Sequence, residues 1–362
     1  MDTVTRYGYV NAKLRARIGV MQESSFFEKM LKAPSLFEAV SVLKGTRYSK
    51  GADSYEKTGD LQQVELALFQ DEIETHNDIK KILDSKLYPF MSVLVQKLEI
   101  ENIKSALRLW YSASVRQHPI SYRSGYLYQR TIVYPVDYSL IINAQSYSDV
   151  VKAFEQTPYS VLFKDWSFER FSKDGLFYFE MALDQLWYES LYREINKLSK
   201  TDKEVSLSIY NVDVDLKNLL MVIRYGLFHS MPSSVINKTL LPYGTLYSKF
   251  KLALTKEGDP VELVKPIVKK YYPSVGKMVD ELLEKKSEVN QVELAGETLK
   301  IENYLAQSRK TAFTKILSGD PFSIGILLSY FFMYKQEVAM IKAILSAKYY
   351  KMDESEIREE LL

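Results

Sequence analysis

Cysteine is absent from this chain of 362 residues, and histidine occurs only three times. Without thiols the protein cannot form a disulfide, a thiolate metal site or a thiol nucleophile. The histidines, at positions 76, 118 and 229, are far apart in the sequence and form no spaced metal-binding pair. We therefore predict no metal site, no bound cofactor and no catalytic residue.

Glycine and proline are also scarce, at 14 and 11 residues. No two glycines have the spacing of a dinucleotide-binding loop or of the sharp turn that carries a hydrolase serine. Gly276 and Lys277 suggest a phosphate-binding loop, but Tyr271 and Met278 replace the glycine and the hydroxyl residue that such a loop needs. The sequence therefore predicts no directly bound nucleotide.

The overall charge of the chain is nearly balanced, and its apolar stretches are short. With 48 basic and 46 acidic residues, the formal net charge is only +2, which gives no general attraction to nucleic acid. The longest apolar stretch, residues 322–334, is too short to span a bilayer, and it predicts a buried core helix or a partner-binding surface. Basic residues interrupt the apolar residues near the beginning, which argues against a signal peptide. We expect a soluble, intracellular protein.

What the chain does contain is an internal repeat. Residues 36–48, 147–159 and 261–272 share a pattern in which a valine is followed eight residues later by a tyrosine. The three pairs are Val40 with Tyr48, Val151 with Tyr159, and Val264 with Tyr272. Threonine stands two residues before the tyrosine in the first two copies, and Lys270 replaces it in the third. The copies are 111 and 113 residues apart, longer than the period of the usual solenoid repeats, so they predict copies of a small domain.

A second motif recurs in the same order, on predicted helices. An acid, an asparagine and an arginine stand at offsets 0, +3 and +9, first as Glu99, Asn102 and Arg108 and then as Asp215, Asn218 and Arg224. The third copy retains only the acid, Glu337, with Met340 and Ser346 at the other two positions. On a helix the acid and the asparagine share one face, whereas the arginine lies on the opposite side. We predict that these residues tie each helix to a helix of the same or the next repeat; direct contact with a partner is the alternative.

The predicted fold class is all-α, with three homologous helical domains at residues 1–120, 121–235 and 236–362. The alternative is that the repeats reflect only the general pattern of amphipathic helices. Apolar periodicity predicts long helices over residues 61–83, 89–111, 179–198 and 214–228. The least regular stretch, residues 119–134, predicts a strand or an extended linker. Within it, the mixture of tyrosine and arginine over residues 122–134, with Arg123 and Arg130, is also typical of single-strand nucleic-acid binding. Because the net charge is near zero, we favour packing of these tyrosines on the neighbouring repeat, with no nucleic-acid partner.

Several segments resemble a known family. Residues 7–16, which include Tyr7, Tyr9 and Asn11, resemble the beginning of the C subunit of the V/A-type rotary ATPases, the bacterial and archaeal relative of the eukaryotic d subunit. Residues 101–108 and 217–224 fit the same family, as do residues 321–330 and 356–361. The ordered set touches all three repeats and extends over essentially the whole chain. Met340 and Ser346 depart from the earlier repeats, so the third repeat is expected to be tied together differently or to face something apolar.

This resemblance implies a funnel of three similar helical domains around a pseudo-threefold axis. It also implies a non-catalytic rotor component, peripheral to the membrane on its cytoplasmic face. The expected partners are the proteolipid ring of the membrane sector and the central stalk, formed by the D and F subunits. The expected role is to couple ring rotation to the stalk during ion translocation and ATP synthesis or hydrolysis. The alternatives are a free helical scaffold or adaptor of three domains, and an enzyme whose site matches no motif considered above.

Overall fold

The computed structural model describes residues 3–118, 123–285 and 291–361, and these residues form helices and connecting turns without a strand. The prediction of an all-α protein is therefore confirmed. The first nine α-helices are α1 (Thr3–Gly19), α2 (Ser24–Lys32), α3 (Leu36–Ser41), α4 (Ser49–Thr58), α5 (Leu61–Lys81), α6 (Tyr88–Ser114), α7 (Tyr138–Ile142), α8 (Tyr147–Lys152) and α9 (Phe168–Asp174). The others are α10 (Phe177–Ile195), α11 (Lys200–Leu227), α12 (Ser233–Thr239), α13 (Tyr247–Ala253), α14 (Pro260–Tyr271), α15 (Pro273–Lys285), α16 (Gln291–Leu317), α17 (Gly325–Tyr349) and α18 (Glu354–Leu361). Short 3₁₀ helices lie at Ser85–Leu87, Arg123–Tyr126 and Pro158–Asp165.

Side-chain caps determine where many of these helices begin, because the first amides of a helix have no partner within it. Asp60 accepts a hydrogen bond from an amide in the first turn of α5, and Asp259 does the same for α14. Ser146 and Asp149 form a reciprocal capping box at the start of α8. At the other end of a helix, Gly59 follows α4 with a φ of 66°, a left-handed conformation that glycine adopts without strain.

The chain divides into two compact units. The middle unit comprises Pro34–Glu194, and the terminal unit combines Met1–Ala33 with Ile195–Leu362. Within the terminal unit, α1 and α2 pack on α17, and α18 packs on α2 and α16. The repeat boundaries at residues 1–120, 121–235 and 236–362 do not follow these units, and the three-domain funnel stays a prediction.

Each unit has its own core. In the middle unit the ring centroid of Phe171 lies 5.7 Å from that of Trp110 and 5.2 Å from that of Phe179, so aromatic rings fill much of the interior. In the terminal unit the apolar side of α11 packs against α14 and α16. The predicted buried stretch at residues 322–334 lies largely in α17, where six consecutive residues from Ile326 to Phe331 are buried. Among the residues that the structure describes, no helix has the length and hydropathy to cross a membrane.

The four predicted long helices are present as α5, α6, α10 and α11, but α11 begins at Lys200 rather than near residue 214. Residues 200–213 are rich in polar side chains, which obscure the apolar periodicity. A different signal was available, because Ser199 is followed three residues later by Asp202 and accepts a hydrogen bond from the amide of that residue. The capping pattern therefore locates the start of this helix better than hydrophobicity does.

The possible strand within residues 119–134 is wrong for the part that the structure describes, residues 123–134. That part contains a 3₁₀ turn at Arg123–Tyr126 and otherwise irregular backbone. Side chains of α6, rather than a neighbouring strand, bind the amides of Val133 and Tyr134 and the carbonyl of Tyr128.

Candidate functional site

A buried carboxylate organises the middle unit. Glu99, in the middle of α6, is completely buried. Its Oε2 accepts hydrogen bonds from the backbone amides of Val133 at 2.7 Å and Tyr134 at 2.8 Å, and its Oε1 accepts one from the hydroxyl of Tyr159 at 2.7 Å. One turn further along α6, the Nδ2 of Asn102 donates to the carbonyl of Tyr128 at 2.7 Å. We call these residues the Glu99 cluster.

The terminal unit contains a second cluster of the same design. Asp215 is buried in α11, and its Oδ1 accepts a hydrogen bond from the amide of Leu246 at 2.8 Å. Its Oδ2 accepts from the hydroxyl of Tyr272 at 3.2 Å. Asn218 binds both backbone groups of Leu241, donating to the carbonyl at 2.9 Å and accepting from the amide at 2.7 Å. We call these residues the Asp215 cluster.

The two clusters place the repeated residues in matching positions. In each, the acid binds a backbone amide that stands 26 residues before the tyrosine, Val133 before Tyr159 and Leu246 before Tyr272. Each asparagine then binds the carbonyl five residues before that amide. By the repeat boundaries predicted from the sequence, the acid and the asparagine lie in one repeat and the tyrosine lies in the next. The clusters therefore join successive repeats.

Backbone geometry shows how closely the Asp215 cluster is packed. A Cβ atom added to Gly244 would lie 2.5 Å from the Oδ1 of Asp215 and 2.7 Å from the Cγ1 of Val214, so only glycine fits against α11 at this point. The preceding residue, Tyr243, has a φ of 68°, which is uncommon for a residue with a side chain. The loop between α12 and α13 is thus held against α11 by side-chain hydrogen bonds to its backbone.

The repeated threonine has the same contacts in the first two copies. Thr46 donates from its hydroxyl to the carbonyl of Leu43 at 2.6 Å and accepts from the amide of Tyr48 at 3.1 Å. Thr157 donates to the carbonyl of Phe154 at 2.8 Å and accepts from the amide of Tyr159 at 3.3 Å. The threonine therefore fixes the turn that positions the buried tyrosine.

The repeated arginines lie away from the carboxylate clusters, as the helical spacing predicts. Arg108 forms two hydrogen bonds of 2.7 Å with the carboxylate of Glu180, and Arg224 forms the same paired contact with Glu302 at 2.6 and 2.5 Å. Both arginine side chains are more than half exposed. The spacing of the motif did not identify these glutamates, although they stand 122 residues apart in corresponding repeats.

Two further acids with several partners, Asp184 and Asp202, were not predicted from the sequence. Asp184 stands one helical turn after Glu180 and binds Lys97 at 2.8 Å and Lys104 at 2.6 Å. Asp202 accepts hydrogen bonds from the hydroxyl of Tyr7 at 2.9 Å and from the amide of Ile324 at 2.9 Å, and so connects α1, α11 and the beginning of α17. The signal for Asp202 was its place in the capping pattern that begins at Ser199.

The surroundings of the buried acids shift their pKa values in different directions. Burial raises the pKa of Glu99, against the effect of its three hydrogen-bond donors. Burial likewise raises the pKa of Asp215 to about 6, and the donors Leu246 and Tyr272 oppose that shift. For Asp184, burial acts to raise the pKa, but the charges of Lys97 and Lys104 outweigh it and lower the pKa to about 2.

These arrangements can fix chain segments in place, because each carboxylate oxygen accepts hydrogen bonds from donors that the backbone already positions. Among the residues that the structure describes, no group of histidine, aspartate and glutamate side chains could hold a metal ion. The donors to Glu99 and Asp215 are neutral amides and hydroxyls, whose hydrogen bonds compensate for burial.

Comparison with known proteins then identifies the family. Residues 10–360 match the family of ATP synthase (C/AC39) subunits. The chain belongs to this family. It is 24% identical over 364 residues to the C subunit of the A-type ATP synthase of Methanosphaera stadtmanae, with 98% of this chain and 88% of the relative covered. The corresponding A-type ATP synthase C subunits of Methanobrevibacter smithii and Pyrococcus abyssi are 25% and 22% identical, covering 93% and 94% of this chain and 83% and 86% of the relatives.

The resemblance to the C subunit of the V/A-type rotary ATPases is thereby confirmed.

The third copy of the acid motif also binds a backbone amide. Glu337 of α17 is buried, and its Oε2 accepts a hydrogen bond from the amide of Gln22 at 3.1 Å. Gln22 stands 26 residues before Tyr48, the same spacing that separates the amide and the tyrosine in the other two clusters. The acid therefore keeps its amide partner in the third copy.

The substituted positions of the third copy change its surroundings. Met340 replaces the asparagine and lines a cavity of about 240 Å³ together with Met21, Met333 and Phe27. Polar side chains, among them Gln22, Gln336 and Glu337, line the same cavity. The tie that asparagine provides in the first two copies is thus replaced by an open, methionine-lined cavity. That the third repeat is tied together differently or faces something apolar stays a prediction.

Proposed function

We propose that this protein is a non-catalytic component of the central rotor in a V/A-type ATPase. In this role it is a socket that joins the central stalk, formed by the D and F subunits, to the proteolipid ring on the cytoplasmic face of the membrane. It couples rotation of the ring to ion translocation and to ATP synthesis or hydrolysis. Membership of the ATP synthase (C/AC39) family over residues 10–360 supports this proposal, as do relatives that are themselves C subunits of A-type ATP synthases.

The observation that carries the proposal is that buried carboxylates join successive repeats. A rotor component that transmits torque must resist twisting between its parts. In the Glu99 cluster one carboxylate and one asparagine together fix three backbone positions and a tyrosine from the following repeat. The Asp215 cluster fixes both backbone groups of Leu241 as well as the amide of Leu246. Moving one repeat against the next would break several buried hydrogen bonds at once, which makes such motion costly.

Acids with shifted pKa values are common in active sites, so the raised pKa of Asp215 could also indicate a catalytic role. A catalytic acid must reach a substrate. Here both carboxylate oxygens bind groups of the protein itself, Leu246 and Tyr272, and Gly244 packs directly against one of them. The geometry therefore favours a structural role for this carboxylate.

Affinity purification from detergent-solubilised membranes tests the proposal. A tagged copy of the chain, expressed at its normal level, should retain a proteolipid together with the stalk and catalytic components of a rotary ATPase, as identified by mass spectrometry. The untagged strain provides the control for background. Recovery of the tagged chain alone, or with unrelated proteins, would contradict the rotor proposal and favour a free helical scaffold.

A further inference from the structure

One long segment of the terminal unit contains no acidic residue. From residue 216 to residue 256 there is no aspartate or glutamate, whereas the whole chain has 46 acids in 362 residues. The same segment contains one arginine and five lysines. The acids that flank it in the sequence are Asp215, which is buried, and Glu257. The segment is thus strongly basic in a chain whose overall charge is almost balanced.

Lys249 of this segment and Lys270 of the neighbouring helix α14 lie over the same exposed aromatic ring, that of Tyr271. The Nζ of Lys249 lies 5.1 Å from the ring centroid of Tyr271, and the Nζ of Lys270 lies 5.7 Å from the same ring. The basic aromatic surface consists of Tyr243, Lys249, Leu252, Lys270 and Tyr271.

Three apolar side chains of this surface are unusually exposed. Leu252 is 70% exposed, Tyr243 45% and Tyr271 40%. Leu252 stands three residues after Lys249 on α13, so the two side chains lie on the same side of that helix. Lys249 also donates to the carbonyl of Thr245 at 3.3 Å, two residues from Tyr243. Positive charge and exposed apolar surface therefore occur together.

The backbone of the protein holds Tyr243 in its exposed position. Tyr243 adopts a left-handed conformation, with a φ of 68°, between two anchored residues. Leu241 is bound by Asn218, and Gly244 packs against Asp215. A strained backbone that presents a side chain to solvent is more common at functional sites than elsewhere.

The repeated architecture does not require this surface. Aligning Tyr159 with Tyr272 places Val136 where Lys249 stands and Pro158 where Tyr271 stands. The second copy therefore forms its carboxylate cluster without the lysines or the exposed ring, so packing of the repeat does not explain their presence in the third copy.

We propose that the basic aromatic surface binds the anionic headgroups of a lipid membrane. Lysine ammonium groups are point charges without the planar geometry with which arginine recognises single carboxylates, and they suit a diffuse layer of phosphates. Tyrosine and leucine side chains insert at the level of the headgroups, where an apolar body and a polar tip are both accommodated. Two kinds of attraction, charge and apolar insertion, are what stable attachment to a membrane surface requires. This proposal does not depend on the rotor role.

Sedimentation of the full-length chain with lipid vesicles tests the proposal. Vesicles of mixed phosphatidylglycerol and phosphatidylcholine should bind the protein, vesicles of phosphatidylcholine alone should bind it much less, and added salt should weaken binding because it screens the charges. Each lysine near an anionic surface is expected to contribute roughly fivefold to binding, so Lys249→Gln with Lys270→Gln should weaken it about 25-fold. Leu252→Ser should weaken binding without changing its dependence on salt.

The matched control is Lys29→Gln with Lys277→Gln, which removes the same charge at two exposed lysines outside this surface. Equal binding by the two double variants would overturn the proposal, as would failure of the unaltered chain to bind anionic vesicles. Binding to polyglutamate but not to vesicles would also overturn it and would indicate an acidic protein partner. Circular dichroism of each variant checks that it is folded. Because vesicle binding needs no other protein, its failure would leave the result of the affinity purification unaffected.

Discussion

Replacing Asp215 with asparagine separates the hydrogen bonds of this buried residue from its charge. An asparagine side chain can still accept from the amide of Leu246 through Oδ1, and its amide group can donate to the hydroxyl oxygen of Tyr272. The hydrogen bonds are therefore retained while the buried charge is removed. Asp215→Ala, by contrast, leaves both donors without an acceptor.

The expected size of the effect follows from the pKa of Asp215, which burial raises from 3.8 to about 6. A shift of that size corresponds to about 3 kcal/mol between the two protonation states. Because the folded state holds the proton more tightly than the unfolded state, the contribution of this group to stability is complete below pH 3.8 and is lost as the pH rises through about 6. Asparagine does not titrate, so Asp215→Asn should be more stable than the unaltered protein at neutral pH, with a smaller advantage in acid.

Urea unfolding followed by far-ultraviolet circular dichroism measures this difference. Between pH about 4.5 and pH about 7.5, the advantage of Asp215→Asn in free energy of unfolding should grow by about 2 kcal/mol. Asp215→Ala should lie about 2–4 kcal/mol below Asp215→Asn at both pH values, because two donors have lost their acceptor. A difference between Asp215→Asn and the unaltered protein that stays constant with pH would refute the reasoning, as would an asparagine variant that is less stable at neutral pH.

Three further predictions follow from individual contacts. Gly244→Ala should lower the free energy of unfolding by about 2 kcal/mol through overpacking, whereas Gly125→Ala, which meets no atom within 4 Å, should have little effect on thermal melting. Arg224→Ala should lower the free energy of unfolding by only about 0.5–1 kcal/mol, because the arginine side chain of its ion pair with Glu302 is half exposed. A loss as large as that of Asn218→Ala, whose partners are buried, would contradict this assignment. Truncation after Met352 removes the buried Ile357 and the paired contact of Arg358 with Glu28, and should weaken co-purification of the other ATP synthase subunits. Normal assembly would contradict a role for α18.

Local periodicity predicted the helices well and the partners of their side chains poorly. The positions of Glu99 and Asn102 on one face of α6, and of Arg108 on another, depend only on the helical repeat of 3.6 residues. The binding of Glu99 to Val133 depends on how an irregular loop folds over that helix, and no short-range pattern specifies it. The partner of Arg108, Glu180, lies 72 residues away on α10, so it could be found only by comparing the repeats or by solving the packing.

The internal repeats identified the tyrosines as repeated residues, but they did not indicate which side chains the tyrosine hydroxyls bind. Tyr159 and Tyr272 were recognised as repeated residues, and the acids were recognised separately. Their contact joins two motifs that lie 60 residues apart in the middle unit and 57 apart in the terminal unit. Sequence spacing alone cannot show that the acid of one copy binds the tyrosine of the next copy. The same repeated spacing would also be found if each acid bound the tyrosine of its own copy.

This donation of a tyrosine from one copy to the acid of the preceding copy determines where the chain can be divided. A fragment cut at the repeat boundary after residue 120 keeps Glu99 but loses Tyr159, so it contains a buried acceptor whose donor has been removed. A fragment that follows the compact unit Pro34–Glu194 keeps both. The predicted repeat and the compact unit are therefore different stretches of the chain, and a fragment that is to keep its buried carboxylate paired has to follow the compact unit rather than the repeat.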